Sequence, residues 1–238
     1  TASRFSAFSD AQLLQAPINS RVSRLPPSIN YAELLNRVGY LDVDVLSALI
    51  EAWRGLLRLV GPDLVLAEHS PTALIAARLE NLPIAAIGSG FSVPSRISPM
   101  PSMQPWLNIP ADVLAKSEDA VVQRINTAID RHGGVKYQQL SDIFQLDDNY
   151  FCVLPEFDHY DRASQGGAEQ TEYFGPLDMP ISGGDVPWPS GTGDRVFVYY
   201  RTSYPHFGPL MQQLAGLGLP TLVVADDARP EAIKQYST

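Results

Sequence analysis

Residues 61–91, GPDLVLAEHSPTALIAARLENLPIAAIGSGF, read as strand, helix, strand. Leu64-Val65-Leu66-Ala67 is an apolar run of strand length, broken by the polar Glu68-His69-Ser70. Ser70-Pro71 predicts a helix start, because a serine oxygen accepts from free backbone N–H groups and proline suits the first helical position. The helix continues through Thr72 to Leu79 and stops at Asn81-Leu82-Pro83. Ile84 to Ile87 is a second apolar run, followed by Gly88-Ser89-Gly90. Apolar strands joined by a helix predict an α/β fold, a parallel sheet with helices on both faces. Such sheets bind ligands at the carboxyl ends of their strands, where Glu68, His69, Ser70 and Ser89 would sit.

Upstream, Ala11 to Ala16 reads as a helix end running into a short strand, and Asn30 with Glu33 forms a capping box for a short helix. Apolar residues at 41, 45, 46, 49, 50, 53, 56, 57 and 60 repeat every 3.6 residues, predicting an amphipathic helix that Gly61-Pro62 ends. Downstream come a Pro-, Ser- and Met-rich loop (92–106), a helix over Ala111 to Arg131 ended by His132-Gly133-Gly134, and a short helix over Gln138 to Phe144. Tyr150 to Leu154 and Thr171 to Phe174 read as strands, and Gly133-Gly134, Gly166-Gly167 and Gly183-Gly184 as turns. Residues 177–194 turn rich in Pro, Gly, Ser and Asp, which predicts a linker. Strand, helix and strand then return at Arg195 to Tyr200, Pro209 to Leu217 and Thr221 to Ala225. The expected organisation is a domain over 1–176, a linker over 177–194 and, over 195–238, the first βαβ unit of a second domain. Two strands and a helix cannot bury a core alone, and Ala11 to Ala16 has no strand before it, so both domains are expected to be incomplete.

The 238 residues are 45% hydrophobic, enough for a sizeable core, and carry a net charge of −9. That balance disfavours nucleic acid and anionic lipid as partners. The single cysteine, Cys152, excludes a disulfide within the chain and reads as a buried inert thiol. The four histidines lack metal-ligand spacing, and Asp158-His159 with Asp161 reads as a solvated loop, so no metal site is expected. No window reaches the ~18 apolar residues of a membrane span. Without a signal-peptide core at the start, a reducing, cytoplasmic compartment is the expectation.

PDLVLAEHSPTALIAARLENLPIAAIGSGFSVP, residues 62–94, resembles the acceptor-domain core of bacterial nucleotide-sugar glycosyltransferases, in the family related to UDP-glucuronosyltransferases and macrolide glycosyltransferases. YFGPL (173–177), PWP (187–189), DRVFVYYR (194–201) and LGLPTLVVADDARPEA (217–232) follow in that family's order, and QLLQAP (12–17) fits near the start. The resemblance implies a GT-B fold of two Rossmann-like domains. The first would bind a small, largely apolar acceptor and the second a nucleotide-sugar, whose hexose passes to an acceptor hydroxyl.

In inverting members of that family the base is a His on a loop after the first strand, oriented by an Asp. The Asp position corresponds to Glu68, one methylene longer, so Glu68 is the implied catalytic carboxylate and His69 an implied local base or acceptor contact. Ser70, Ser89, Phe91, Met100, Met103 and Trp106 become the acceptor-side residues, and Arg201, Thr202 and Ser203 the donor-side ones. Arg201 and Tyr204 depart from the small-residue turn usual there. The nucleotide-sugar acts as co-substrate, with no cofactor and no metal. The family's GHxxP loop and HxGxxT segment are not in this sequence, so this chain alone is expected to be inactive. The rival reading is a GT-B-derived binding or partner module. Each residue also has a plain role: Glu68 beside a helix dipole, Ser70 as a cap, the apolar loop residues as packing, and 201–203 as a turn.

Overall fold

The structure, a computed structural model, describes residues 11–20, 25–91, 93–160, 162, 172–176, 186–225 and 227. The expectations for Asp161, Gly166-Gly167, Thr171, Gly183-Gly184 and linker residues 177–185 lie outside them. The chain divides into two compact units, Thr1–Asp178 and Met179–Thr238.

In the first unit, the Asn30 side chain accepts from the Glu33 N–H at 3.0 Å and opens α1 (Tyr31–Leu35). The Glu33 carboxylate reaches back to the Ile29 N–H at 2.9 Å, one residue earlier than a capping box requires. A π-helical turn over Asn36–Tyr40 leads to α2 (Val43–Val60), capped by the Asp42 carboxylate. α2 ends at Gly61, whose φ of 61° a glycine adopts without strain. Then follow β1 (Val65–Ala67), α3 (Pro71–Leu79), β2 (Ile84–Gly88), α4 (Ala111–Asp130) and β3 (Asp148–Phe151).

The sheet order is β1-β2-β3, all parallel, pairing Leu66 with Ala85 and Ala85 with Asp148. Because side chains alternate along a strand, Val65, Ala67, Ile84, Ala86 and Phe151 share one face. That face packs with buried residues of all four helices, among them Tyr31, Leu46, Ile50, Ile75, Val121 and Ile125. The opposite face leaves Leu66 and Tyr150 exposed.

Some elements differ from expectation. β3 begins two residues early because Asp147 clasps Ile84. Its carboxylate accepts from the Ile84 N–H at 2.8 Å, and its own N–H donates to the Ile84 carbonyl at 2.9 Å. The strand expected to end at Phe174 is a single bridge from Tyr173 to Phe151. The helix expected near 138–144 is a 3-10 turn over Leu140–Phe144. Ala11 to Ala16 forms neither helix nor strand, and Cys152 is half-buried.

The second unit holds β4 (Val196–Tyr199), α5 (Phe207–Leu217) and β5 (Thr221–Val224). β4 and β5 pair in parallel, Gly218 at φ 63° ends α5, and Phe207 and Met211 are buried beneath it.

One buried acid stands out in the first unit. Glu118 of α4 is 3% exposed and accepts from the Met100 N–H at 2.5 Å, tying the loop after β2 to that helix. Burial raises its pKa to about 7, against the pull of the Met100 bond and with help from Asp119. The folded value lies above the unfolded one. The stability this group contributes is therefore fully present below pH 4.5 and lost as pH rises through about 7. Relative to wild type, Glu118→Gln should gain about 3 kcal/mol of stability between acidic and mildly alkaline pH. Urea unfolding of both proteins at the two pH values measures it, and curves that keep a constant separation would refute it.

Candidate functional site

At the carboxyl ends of the first sheet, a row of rings forms from three separate turns. Glu68, His69 and Ser70 lead from β1 into α3. His69 is exposed and takes φ 44°, left-handed backbone that a side-chain-bearing residue rarely adopts. Its imidazole meets Tyr31 edge-on at 6.1 Å and lies 5.6 Å from Phe91, in the turn after β2. Phe91 meets His159, beyond β3, at 5.2 Å, and Tyr31 meets Phe144 at 5.4 Å. Tyr31 is 1% exposed and burial raises its pKa well above the ordinary tyrosine value. Its hydroxyl has no hydrogen-bond partner among the described residues.

The turn that carries Phe91 is held from beneath by Arg162 and Tyr160. Arg162 Nη2 donates to the carbonyls of Gly90 (3.1 Å) and Val93, and the Tyr160 hydroxyl donates to the Phe91 carbonyl at 3.1 Å. Arg162 lies over the rings of Phe151 and Tyr160, at 4.6 and 4.9 Å. Gly90 has φ 83°, and a Cβ there would stand 3.0 Å from Arg162 Nη1. The counter-ion is Asp158, 2.5 Å from Arg162 Nη1, with its side chain fully out of solvent. Burial alone would raise the Asp158 pKa. The Tyr173 hydroxyl at 2.8 Å, the backbone N–H groups of Tyr160 and Arg162, and the guanidinium together hold it below the ordinary carboxylate value. Asp158 is therefore a buried electrostatic anchor, not part of a solvated loop.

His69 and Phe91 are brought into contact, with Glu68 and Ser89 exposed at the same strand ends. The Glu68 carboxylate has no hydrogen-bond or ion-pair partner among the described residues. The Ser70 hydroxyl donates to the Glu68 carbonyl at 3.3 Å and makes no cap, so Pro71 alone supplies the helix-start chemistry. Met100 is fully buried in the core. Met103 is half-buried, its N–H on the Ile29 carbonyl at 2.8 Å, and Trp106 is 70% exposed in a 3-10 turn. Tyr31, Tyr160 and Arg162 were not legible as site residues, since contacts that place them, such as Tyr160 to Phe91 and Arg162 to Gly90, span 69 and 72 positions, and Asp158 reads in sequence only as a polar loop residue.

In the second unit, Arg201, Thr202 and Ser203 follow β4. The N–H groups of Thr202 and Ser203 donate to Oδ1 and Oδ2 of Asp227, at 2.7 and 3.1 Å. Asp227 stands in the turn after β5, and these bonds, that of Thr202 foremost, lower its pKa to about 2. Among the described residues no group of three or more His, Cys, Asp and Glu could hold a metal ion, and no helix is long and apolar enough to cross a membrane.

Removing Asp158 leaves the Arg162 guanidinium buried without its counter-ion. Asp158→Ala should therefore cost about 3–5 kcal/mol of stability in the first unit. Urea denaturation at neutral pH measures the loss, and a cost near that of a surface substitution would contradict the anchor.

No protein-family model and no curated protein matches the chain. Solved structures do. The glycosyltransferase of kitacinnamycin matches with a TM-score of 0.51 at 15% identity, over 88% of this chain and 52% of its own. The glycosyltransferase SsfS6 of Streptomyces sp. SF2575, solved with thymidine diphosphate, matches at 18% identity, over 86% and 48%, with a TM-score of 0.45. The glycosyltransferase SnogD of Streptomyces nogalater matches at 15%, over 80% and 48%, with a TM-score of 0.44. The chain thus spans about half the length of these proteins. Over that half, the likeness to the kitacinnamycin enzyme, with parallel sheets and crossover helices in both units, shows the α/β Rossmann-like fold of GT-B glycosyltransferases.

Proposed function

We propose that the protein acts in glycosyl transfer, moving a hexose from a nucleotide-sugar to a hydroxyl of a small, largely apolar acceptor. The observation that carries this reading is the fold likeness to a glycosyltransferase over 88% of the chain. The placement of the candidate groups supports it, because both sets stand at carboxyl ends of parallel strands, where open α/β sheets bind ligands. In the first unit, the rings of Phe91 and His159 offer a wall to an acceptor, with Glu68 and His69 beside them.

The chemistry needs a group that takes the acceptor's proton as its oxygen attacks the anomeric carbon, while the nucleoside diphosphate leaves with the bonding pair. His69 is the candidate proton acceptor on this chain. Glu68, exposed beside His69 with its carboxylate unpartnered among the described residues, is the candidate carboxylate that would turn to a base and stabilise the cation it becomes, as in a triad. In the second unit, the N–H groups of Thr202 and Ser203, with Arg201 adjacent, are suited to an anionic leaving group. The rival reading, a binding module that keeps the fold without turnover, is an outcome of the same test.

The test is sugar transfer by the full product of the gene, offered a panel of nucleotide-sugars and hydroxylated acceptors. Glu68→Ala should lower turnover by on the order of 10²-fold. Undiminished turnover in that variant removes Glu68 from the mechanism. Nucleoside diphosphate binding with no transfer to any acceptor would favour the binding module.

A further inference from the structure

We infer that the turn after β4 is an anion receptor that the chain holds occupied with its own Asp227 carboxylate, and that a diphosphate group is the ligand this carboxylate competes with. The inference rests on the reading of 201–203 as donor-side residues. Two consecutive backbone N–H groups, of Thr202 and Ser203, point to one spot and each takes a different carboxylate oxygen, at 2.7 and 3.1 Å. Two neighbouring N–H donors in this two-pronged arrangement fit two oxygens of a phosphate as well as those of a carboxylate.

Three further observations separate a receptor from a simple staple. First, the turn carries backbone hydrogen bonds of its own, apart from those to Asp227. The Tyr204 N–H bonds the Arg201 carbonyl at 3.2 Å, and the Phe207 N–H bonds the Tyr204 carbonyl at 3.0 Å, leading directly into α5. Second, β4 and β5 are already joined up to the mouth of the turn, where the Tyr200 N–H donates to the Val224 carbonyl at 3.0 Å. A crosslink one step further on adds little to that ladder. Third, Ser203 and Asp227 are solvent-exposed, so an anion arriving from water can reach the donors without opening the core.

The lock does not yield to ordinary changes of pH. Asp227 stays ionised down to about pH 2, so only a competing anion or a shift of the turn after β5 frees the donors. A ligand that binds only the freed turn has its apparent affinity reduced by the fraction of molecules in which the turn is free. Removing the internal carboxylate removes that reduction.

The experiment is calorimetric titration of the whole chain, wild type and Asp227→Ala, with inorganic pyrophosphate and separately with uridine and thymidine diphosphates. Asp227→Asn, which keeps an uncharged acceptor in the turn, serves as a second variant if the alanine variant does not fold. Asp227→Ala should bind pyrophosphate on the order of tenfold tighter than wild type, with Asp227→Asn between them. Equal or weaker binding by a folded variant overturns the inference. Tighter pyrophosphate binding with no binding of either nucleotide keeps the receptor and discards the donor-side reading. Tightening of both supports the two together.

Discussion

The first unit depends on the close seating of α3 against the sheet and α2. Six of its nine residues are buried, and Ala73, Ala76 and Ala77 contribute small side chains that let the helix approach closely. Both ends are pinned. At the start, the Thr72 and Tyr40 hydroxyls bond at 2.9 Å. At the end, Arg78 donates to the carbonyls of Asp142 and Gln145 and to the Tyr137 hydroxyl, while Glu80 gathers Arg54 and Arg58 of α2. With α3 fixed, β1 and β2 lie side by side and their turns open at the same edge. His69 and Phe91 meet for that reason, although 22 positions separate them in the sequence.

The legible parts of this chain were those governed by local rules. β1, α3 and β2 announce themselves by apolar runs and by Pro71, and α2 by its 3.6-residue repeat. β3 was read two residues late because its opening pair, Asp148-Asn149, is polar. The strand forms there because Asp147 reaches across to Ile84, which no local pattern reveals. Ser70 had the composition of a cap but turned its hydroxyl back to Glu68 instead, a choice between two backbone partners that composition does not decide.

The candidate site was legible as a place but not as a mechanism of support. Strand ends in a parallel sheet located Glu68, His69 and Ser89 in advance. Met100 looked like a loop residue open to ligand, yet its loop is drawn down onto α4 by Glu118 and the side chain is buried. Asp158 lay in a polar stretch that resembles any surface loop. Its burial depends on Arg162, on Tyr173 and on the stacking rings of Phe151 and Tyr160, and such a set exists only once β3 is in the sheet. In the second unit, likewise, Asp227 gained meaning only when β4 and β5 paired.

The bonding of the turn after β2 also sets what this edge of the first unit shows to solvent. The Gly90 carbonyl accepts from both Arg162 and the Val93 N–H, filling both of its lone pairs. The Phe91 and Val93 carbonyls are each engaged as well. The Gly90 carbonyl is thereby saturated and those of Phe91 and Val93 each spend one lone pair inside the turn, beside the rings of His69 and Phe91 and the exposed Ser89. What this edge presents is therefore set as much by what Arg162 and Tyr160 have already taken as by the side chains on view.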